Sequence, residues 1–306
     1  MSGVIGQSLP RQDGVEKAKG SFQYVSDHFP IDCLIGKLLR SVVPHGKVKF
    51  INLERAKRVS GVHAVIGIGD SPGRRYNPIY NQSNPTTDLL VKDEMVFEEE
   101  IRHLGQPVAA VAAESADLAE EALALIEVEY EELPAVFDMR KALEPSAPIV
   151  RPGGEGNIAF GWRDADEPIT LHRGTLEEGF SNADRIFEEE FTTQRINQTA
   201  LEPHLAISWP ESGGRLAMLS TTQSIFGLRS CLAEALGISP GRIRILRPNL
   251  GGAFGKGLDL AVNEVICAIL AMRAQKTVRI EYTREEEFTA SARHPSRIWV
   301  RTGVKD

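Results

Sequence analysis

Pro107-Val108-Ala109-Ala110-Val111-Ala112-Ala113 is an unbroken apolar run of strand length, and it predicts a β-strand. Ser115 follows at the position of a helix N-cap. Leu118, Ala122 and Leu125 then recur at i, i+4 and i+7, predicting a helix over 116–125 with one apolar face. Beyond it Ile126, Val128 and Tyr130 alternate with Glu127, Glu129 and Glu131, the pattern of a half-exposed strand. Strand, helix and strand in close succession set an α+β class for this part of the chain.

Working toward the N-terminus, Gly20 to Val25 reads as a short strand and Leu34 to Ser41 as a second one, broken at Pro44-His45-Gly46. Asn52 can cap a small helix over 53–58 that Gly61 closes before a strand from Ala64 to Ile68. Residues 70–90 concentrate Asp, Asn, Pro and Gly without apolar periodicity and read as a long loop.

Toward the C-terminus, 140–175 loses periodicity and holds Pro145, Pro148, Pro152 and Gly153 among other breakers, the reading of a linker. Two units follow, 1–140 and 176–306 with 141–175 between them, the first expected to be separable from the rest. In the second, strands are expected at 185–192, 204–209, 215–220, 242–247 and 278–282. Helices are expected at 224–236, closed by Gly237, and at 258–273.

A length of 306 residues suits about two domains. With 42% hydrophobic and 25% charged residues the composition is that of a globular protein, and a net charge of −7 argues against binding dominated by nucleic-acid phosphates. Cys33, Cys231 and Cys267 stand far apart, too few and too scattered for a zinc knuckle, a disulfide framework or a four-cysteine cluster. The first 20 residues lack the apolar core of a signal peptide and no stretch has membrane-span length, so the expected location is cytoplasmic.

Three constellations can carry chemistry. Asn249-Leu250-Gly251-Gly252-Ala253-Phe254-Gly255-Lys256-Gly257 lies between an expected strand and an expected helix. Its glycines allow a ligand close to the backbone, and N–H groups there suit phosphate or oxyanion contacts; the plainer alternative is a tight turn. It is neither a P-loop nor a dinucleotide fingerprint, which disfavours a dinucleotide-binding oxidoreductase. Thr221-Thr222-Gln223-Ser224 offers a glutamine toward a ligand, or simply a helix cap. Glu202 and His204, two residues apart, would share a strand face and read as a structural pair, while Arg284 to Phe288 and Arg293-His294-Pro295 read as solvated surface.

Taken in order, these pieces resemble the large, molybdenum-binding subunit of the xanthine dehydrogenase, aldehyde oxidase and carbon monoxide dehydrogenase family of molybdenum hydroxylases. The resemblance rests on Gly20 to Asp27, Leu39-Arg40-Ser41, Gly105-Gln106-Pro107-Val108-Ala109 and Val128 to Pro134 in the first part. In the second it rests on Leu201-Glu202-Pro203-His204, Thr222-Gln223, Gly251 to Lys256, Thr283 to Glu286 and Arg293-His294-Pro295. It implies an α/β-hammerhead-like domain followed by the first part of a molybdopterin-binding α/β domain. It also implies molybdopterin with molybdenum, in its plain or cytosine dinucleotide form, and hydroxylation of carbon with oxygen from water.

By that resemblance Gln223 and the Gly252-Ala253-Phe254-Gly255 backbone approach the cofactor. Ala253 replaces a common glycine, which would cost tight contact if the position needs positive φ. Leu258 stands where xanthine-oxidising members carry a substrate-orienting glutamate, which disfavours purines. The family's general base is expected in polypeptide outside this chain, so no catalytic residue and no metal ligand is assigned here. Expected partners are an iron–sulfur subunit, an FAD subunit, and a chain carrying the C-terminal part of the molybdopterin domain. The competing function is a non-catalytic binding or assembly module derived from the same family.

Overall fold

A computed structural model describes residues 5–79, 92–150, 156–158, 173–290 and 292–306. In chain order the N-terminal elements are α1 (Gly14–Lys19), β1 (Leu34–Arg40), β2 (Gly46–Asn52), β3 (Val62–Gly67), β4 (Glu100–Ile101), β5 (Pro107–Ala113), α2 (Ala116–Ala124) and β6 (Glu127–Glu132). They are followed by α3 (Leu176–Ser181), β7 (Arg185–Thr192), β8 (Leu205–Glu211), β9 (Arg215–Ser220), α4 (Ile225–Leu236) and β10 (Ile243–Leu246). The chain continues through α5 (Val262–Ala274), β11 (Val278–Glu281), α6 (Arg284–Ala290) and β12 (Arg297–Val304). The fold is α+β.

The main sheet has seven strands in the order β10-β9-β8-β11-β1-β5-β3. Its middle is covered on both faces, and β5 shows why its sequence carries no alternation. Ala110 and Ala112 enter the core built with α5, whereas Ala109, Val111 and Ala113 enter a separate core with Ala119 and Ala122 of α2. All seven β5 residues are buried. A three-stranded sheet, β4-β2-β6, packs beside it through Val43, Val48, Ile101 and Val108, and β7 and β12 form a two-stranded ribbon.

The sheet runs across the expected boundary between 1–140 and 176–306. β1 is hydrogen-bonded antiparallel to β5 and parallel to β11, with Gly36 opposite Ile280. An apolar strand left at a sheet edge would expose its unpaired backbone, and here β11 takes that edge, so the two expected units contribute strands to one sheet. The linker lies partly outside the described residues, at 151–155 and 159–172, and so does the 70–90 loop from residue 80 onward.

Other differences have local causes. Gly20 to Val25 is not a strand: Gly20 ends α1 at φ +69°, and the Asp27 carboxylate accepts the Tyr24 N–H at 2.8 Å around a single 3₁₀ turn at Val25–Asp27. The helix expected over 53–58 is one 3₁₀ turn, Ala56–Arg58, with only Ala56 buried to hold it. α5 begins at Val262 rather than 258, because Glu264 reaches back to cap Ala261 N–H at 2.8 Å. β2, β12 and α6 are not among the expected elements; the Pro-His-Gly break immediately before β2 masks its start.

The close β1–β11 approach is testable. A Cβ on the buried Gly36 would stand 2.5 Å from Ile280 Cγ1 and 3.2 Å from Val278 Cγ1. Gly36→Ala is expected to lower stability by about 1–3 kcal/mol in urea unfolding, with the two segments still unfolding in one transition. Two resolved transitions in the wild-type chain would contradict a shared sheet.

Candidate cofactor site

β9 and β10 are parallel neighbours, so the segments leaving their C-terminal ends emerge at the same end of the sheet. The first is Thr221-Thr222-Gln223-Ser224 and the second is the glycine-rich loop. They touch directly. Gln223 Nε2 donates to Lys256 O at 2.8 Å, and Gln223 N–H donates to Gly257 O at 2.8 Å. Gly257 must be glycine there, at φ +69° with Thr221 O crowding the place where a Cβ would stand. The capping reading also holds, since Ser224 Oγ accepts the Gly227 N–H.

The loop is held from beneath by buried polar groups. Glu202 accepts hydrogen bonds from Gly251 N–H at 2.6 Å and Ser26 N–H at 3.2 Å, tying the loop to the N-terminal 3₁₀ turn. Gly251 leaves no room for a side chain, a Cβ falling 2.7 Å from Glu202 Cβ. Lys256 is buried and donates to Glu202 O. Burial pulls its ammonium pKa down, opposed by the charges of Glu287 and Glu202. Lys256 is thus a strut under the loop.

Glu202 and His204 do not pair with each other. His204 is hydrogen-bonded through Nδ1 to Glu287 at 2.8 and 3.0 Å, and Glu287 also accepts its backbone N–H. Glu287 is 2% exposed, so the segment from Arg284 to Phe288 is not wholly solvated surface. Arg284 donates to the carbonyls of Ala200 and Leu201, both at 2.9 Å, fixing the segment that carries Glu202. The charge-rich pattern hid this because its partners are backbone groups far away in sequence.

Above this framework the loop surface is open. Positive φ falls on Gly252 (+110°), Phe254 (+55°) and Gly255 (+99°), and not on Ala253. The alanine therefore carries no backbone strain, and the strain sits on Phe254, a bulky residue in the left-handed region. Phe254 is 81% exposed, and Gln223 and Leu258 are exposed too. Among the hydrogen bonds of the described residues, the N–H groups of Gly252, Ala253, Phe254 and Gly255 are not used by the chain itself. A Cβ on Gly255 would meet nothing closer than 3.9 Å, so this glycine supplies approach rather than packing.

Below the Gln223 segment lies Glu264, wholly buried between Ser220 Oγ at 2.5 Å and Ala261 N–H. Burial raises its carboxyl from 4.5 to about 7. Ser220 Oγ also stands 3.0 Å from Leu205 O, so the hydroxyl is shared between that carbonyl and the Glu264 carboxyl.

Comparison with known proteins agrees with this architecture. Residues 155–306 match the family model "Molybdopterin cofactor-binding domain", and residues 19–134 match "Aldehyde oxidase and xanthine dehydrogenase, a/b hammerhead domain". The chain is 31% identical over 303 residues to "Nicotinate dehydrogenase large molybdopterin subunit" of Eubacterium barkeri, covering 98% of this chain and 67% of that one. It is 35% identical over 306 residues to a probable xanthine dehydrogenase polypeptide of Bacillus subtilis, covering 97% and 37%. Quinoline 2-oxidoreductase from Pseudomonas putida 86 superposes with a TM-score of 0.82 at 25% identity, covering 98% of this chain and 37% of that one.

The chain therefore belongs to the molybdenum hydroxylase family of oxidoreductases. Within that family it corresponds to the molybdenum-binding large subunit, spanning 67% of the first relative and 37% of the second.

Two measurements check the framework. A carboxyl raised to about 7 in the folded chain binds more protons there than when unfolded, so its contribution is full below the ordinary 4.5 and is lost as pH rises through 7. Glu264→Gln, which keeps a donor toward Ser220 and an acceptor toward Ala261, should flatten that loss, amounting to something on the order of 3 kcal/mol between pH 4.5 and 8. Unchanged pH dependence of urea stability would contradict it. Glu202→Ala removes the acceptor of two N–H groups and is expected to cost about 1–3 kcal/mol, with faster amide exchange at Ser26 and Gly251 specifically.

Proposed function

We propose that this chain is the N-terminal portion of the molybdenum-binding subunit of a hydroxylase acting on an aldehyde, an N-heterocycle or an aromatic substrate, with the inserted oxygen drawn from water. In this reading 1–140 is the hammerhead-like domain, 141–175 the linker and 176–306 the partial molybdopterin-binding domain. The observation that carries it is the clamping of Gln223 onto a loop whose four central N–H groups are unspent. That donor set fits the oxygen-rich, anionic edge of a pterin phosphate, and the open Gly255 allows its close approach.

When bound, molybdopterin with its molybdenum supplies the redox chemistry. The chain's own part is to hold it. Gly252, Ala253, Phe254 and Gly255 would donate backbone N–H groups. Gln223, one amide hydrogen committed to Lys256 O, would offer the other hydrogen and Oε1 to orient groups at the centre without adding charge. Phe254 would lay an apolar face beside them that excludes water. Glu202, Lys256, His204 and Glu287 would set the loop's height through hydrogen bonds made below it.

Completion comes from polypeptide beyond this chain's span of its relatives: the C-terminal part of the molybdopterin domain, which supplies the general base, with iron–sulfur and FAD subunits to carry electrons away. The cytosine dinucleotide form of the cofactor and a cytoplasmic location belong to the same reading; among the described residues no helix is long and apolar enough to cross a membrane. The exposed loop also admits the alternative, an assembly module that never holds metal.

The test is cofactor content of the chain purified with its completing polypeptide. Gly255→Val should reduce bound molybdopterin at least tenfold, since a branched residue resists φ +99° and fills the approach. Gln223→Ala should retain the cofactor and lower turnover. Wild-type complex without molybdenum or pterin would favour the assembly module.

A further inference from the structure

The β7–β12 ribbon stands apart from both sheets, and every one of its residues is exposed. Register sorts its side chains into two unlike faces, because residues paired across an antiparallel ladder point the same way. On one face Arg297 lies opposite Thr192, Trp299 opposite Glu190, Arg301 opposite Glu188 and Gly303 opposite Ile186. This face is tied together by its own charges and by α3, with Trp299 and Ile186 still exposed on it. Arg297 is ion-paired with Glu190, Trp299 Nε1 donates to Glu188 at 3.2 Å, and Phe180 of α3 lies under Arg301 at 4.6 Å and against Gly303.

The opposite face alternates with it and is mainly apolar, five of its eight residues being hydrophobic, with Arg185 at its end ion-paired to Asp306. Ile298 lies opposite Phe191, Val300 opposite Glu189, Thr302 opposite Phe187 and Val304 opposite Arg185. Phe187, Phe191, Ile298, Val300 and Val304 are each between 40% and 53% exposed. A lone two-stranded ribbon is marginal in water, and a contiguous apolar face on one marks a contact surface.

We infer that this face is the seat of the completing polypeptide, the part of the large subunit that lies beyond this chain's 37% share of its Bacillus subtilis relative. The ribbon lies inside the 155–306 match to the cofactor-binding domain, the same match that holds the glycine-rich loop. The occupant's chemistry follows from the face: an apolar helix or sheet surface, with a cation placed to meet Glu189 near the centre. The inference rests on the proposed function for the existence of that polypeptide, and on the ribbon alone for where it docks.

The experiment uses this chain with a purified polypeptide covering the C-terminal remainder of the large subunit from the same organism. The chain alone should sediment as a monomer and bind an apolar fluorescent dye. Mixing should give a 1:1 complex, displace the dye and slow amide exchange across 185–192 and 297–304. Phe187→Lys with Val300→Lys should weaken the complex at least tenfold, and Glu190→Gln on the other face should not; unchanged amide exchange in β8 and β11 shows that the double variant is folded. A dimer of this chain dissolved by the double variant would assign the face to a second copy and overturn the inference. No complex, or one indifferent to the double variant, would overturn it as well. A complex seated on this face but devoid of molybdopterin would sink the cofactor reading and leave the inference standing.

Discussion

Everything at the candidate site depends on β1 lying between β5 and β11. Three residues near the N-terminal end of that strand, Leu34, Ile35 and Gly36, pair with Val278, Arg279 and Ile280 from the far end of the chain. The pairing closes the sheet at its middle and carries the preceding turn, Val25–Asp27, to the foot of Glu202. Glu202 in turn holds Gly251. The loop's position is thus set by a contact between sequence segments that no local pattern links, and the glycine at position 36 is what lets the two strands meet over Ile280.

Several strands were legible to their bounds. Arg215–Ser220 and Pro107–Ala113 carry apolar runs, Arg185–Thr192 carries β-forming residues around three glutamates, and Ser115 and Gly237 act as caps as their positions predict. What stayed hidden was set by distant partners. β2 is half exposed and reads as polar, because only Gly46 and Val48 are buried, Val48 packing in a small cluster with Val43, Ile101 and Val108. The N-terminal segment around Phe22 and Tyr24 has strand-forming residues, yet Asp27 turns the backbone by capping it locally.

The site was legible in part for the same reason. Gln223 and the glycine-rich loop each follow a strand, and parallel strands send their following segments to one end of a sheet. Their hydrogen bond is an outcome of that geometry. The framework beneath them gave little warning: Lys256, Glu287 and Arg284 look like surface charges until the sheet brings carbonyls and carboxylates to them. Ala253 is costly only if positive φ falls on it; the loop places that conformation on its neighbours.

The loop is clamped at both ends and unattached in the middle. Glu202 fixes its entry at Gly251, and Lys256 and Gly257 fix its exit against Glu202 and the Gln223 segment, while the crest between them makes no side-chain bond to the body. Such an arrangement separates two kinds of sequence freedom. Substitutions at the footings move the whole crest, whereas Ala253 and Leu258 can change in size or polarity without transmitting anything to the sheet. A family built this way can retune what lies over the loop from one member to the next while the height at which it is held stays the same.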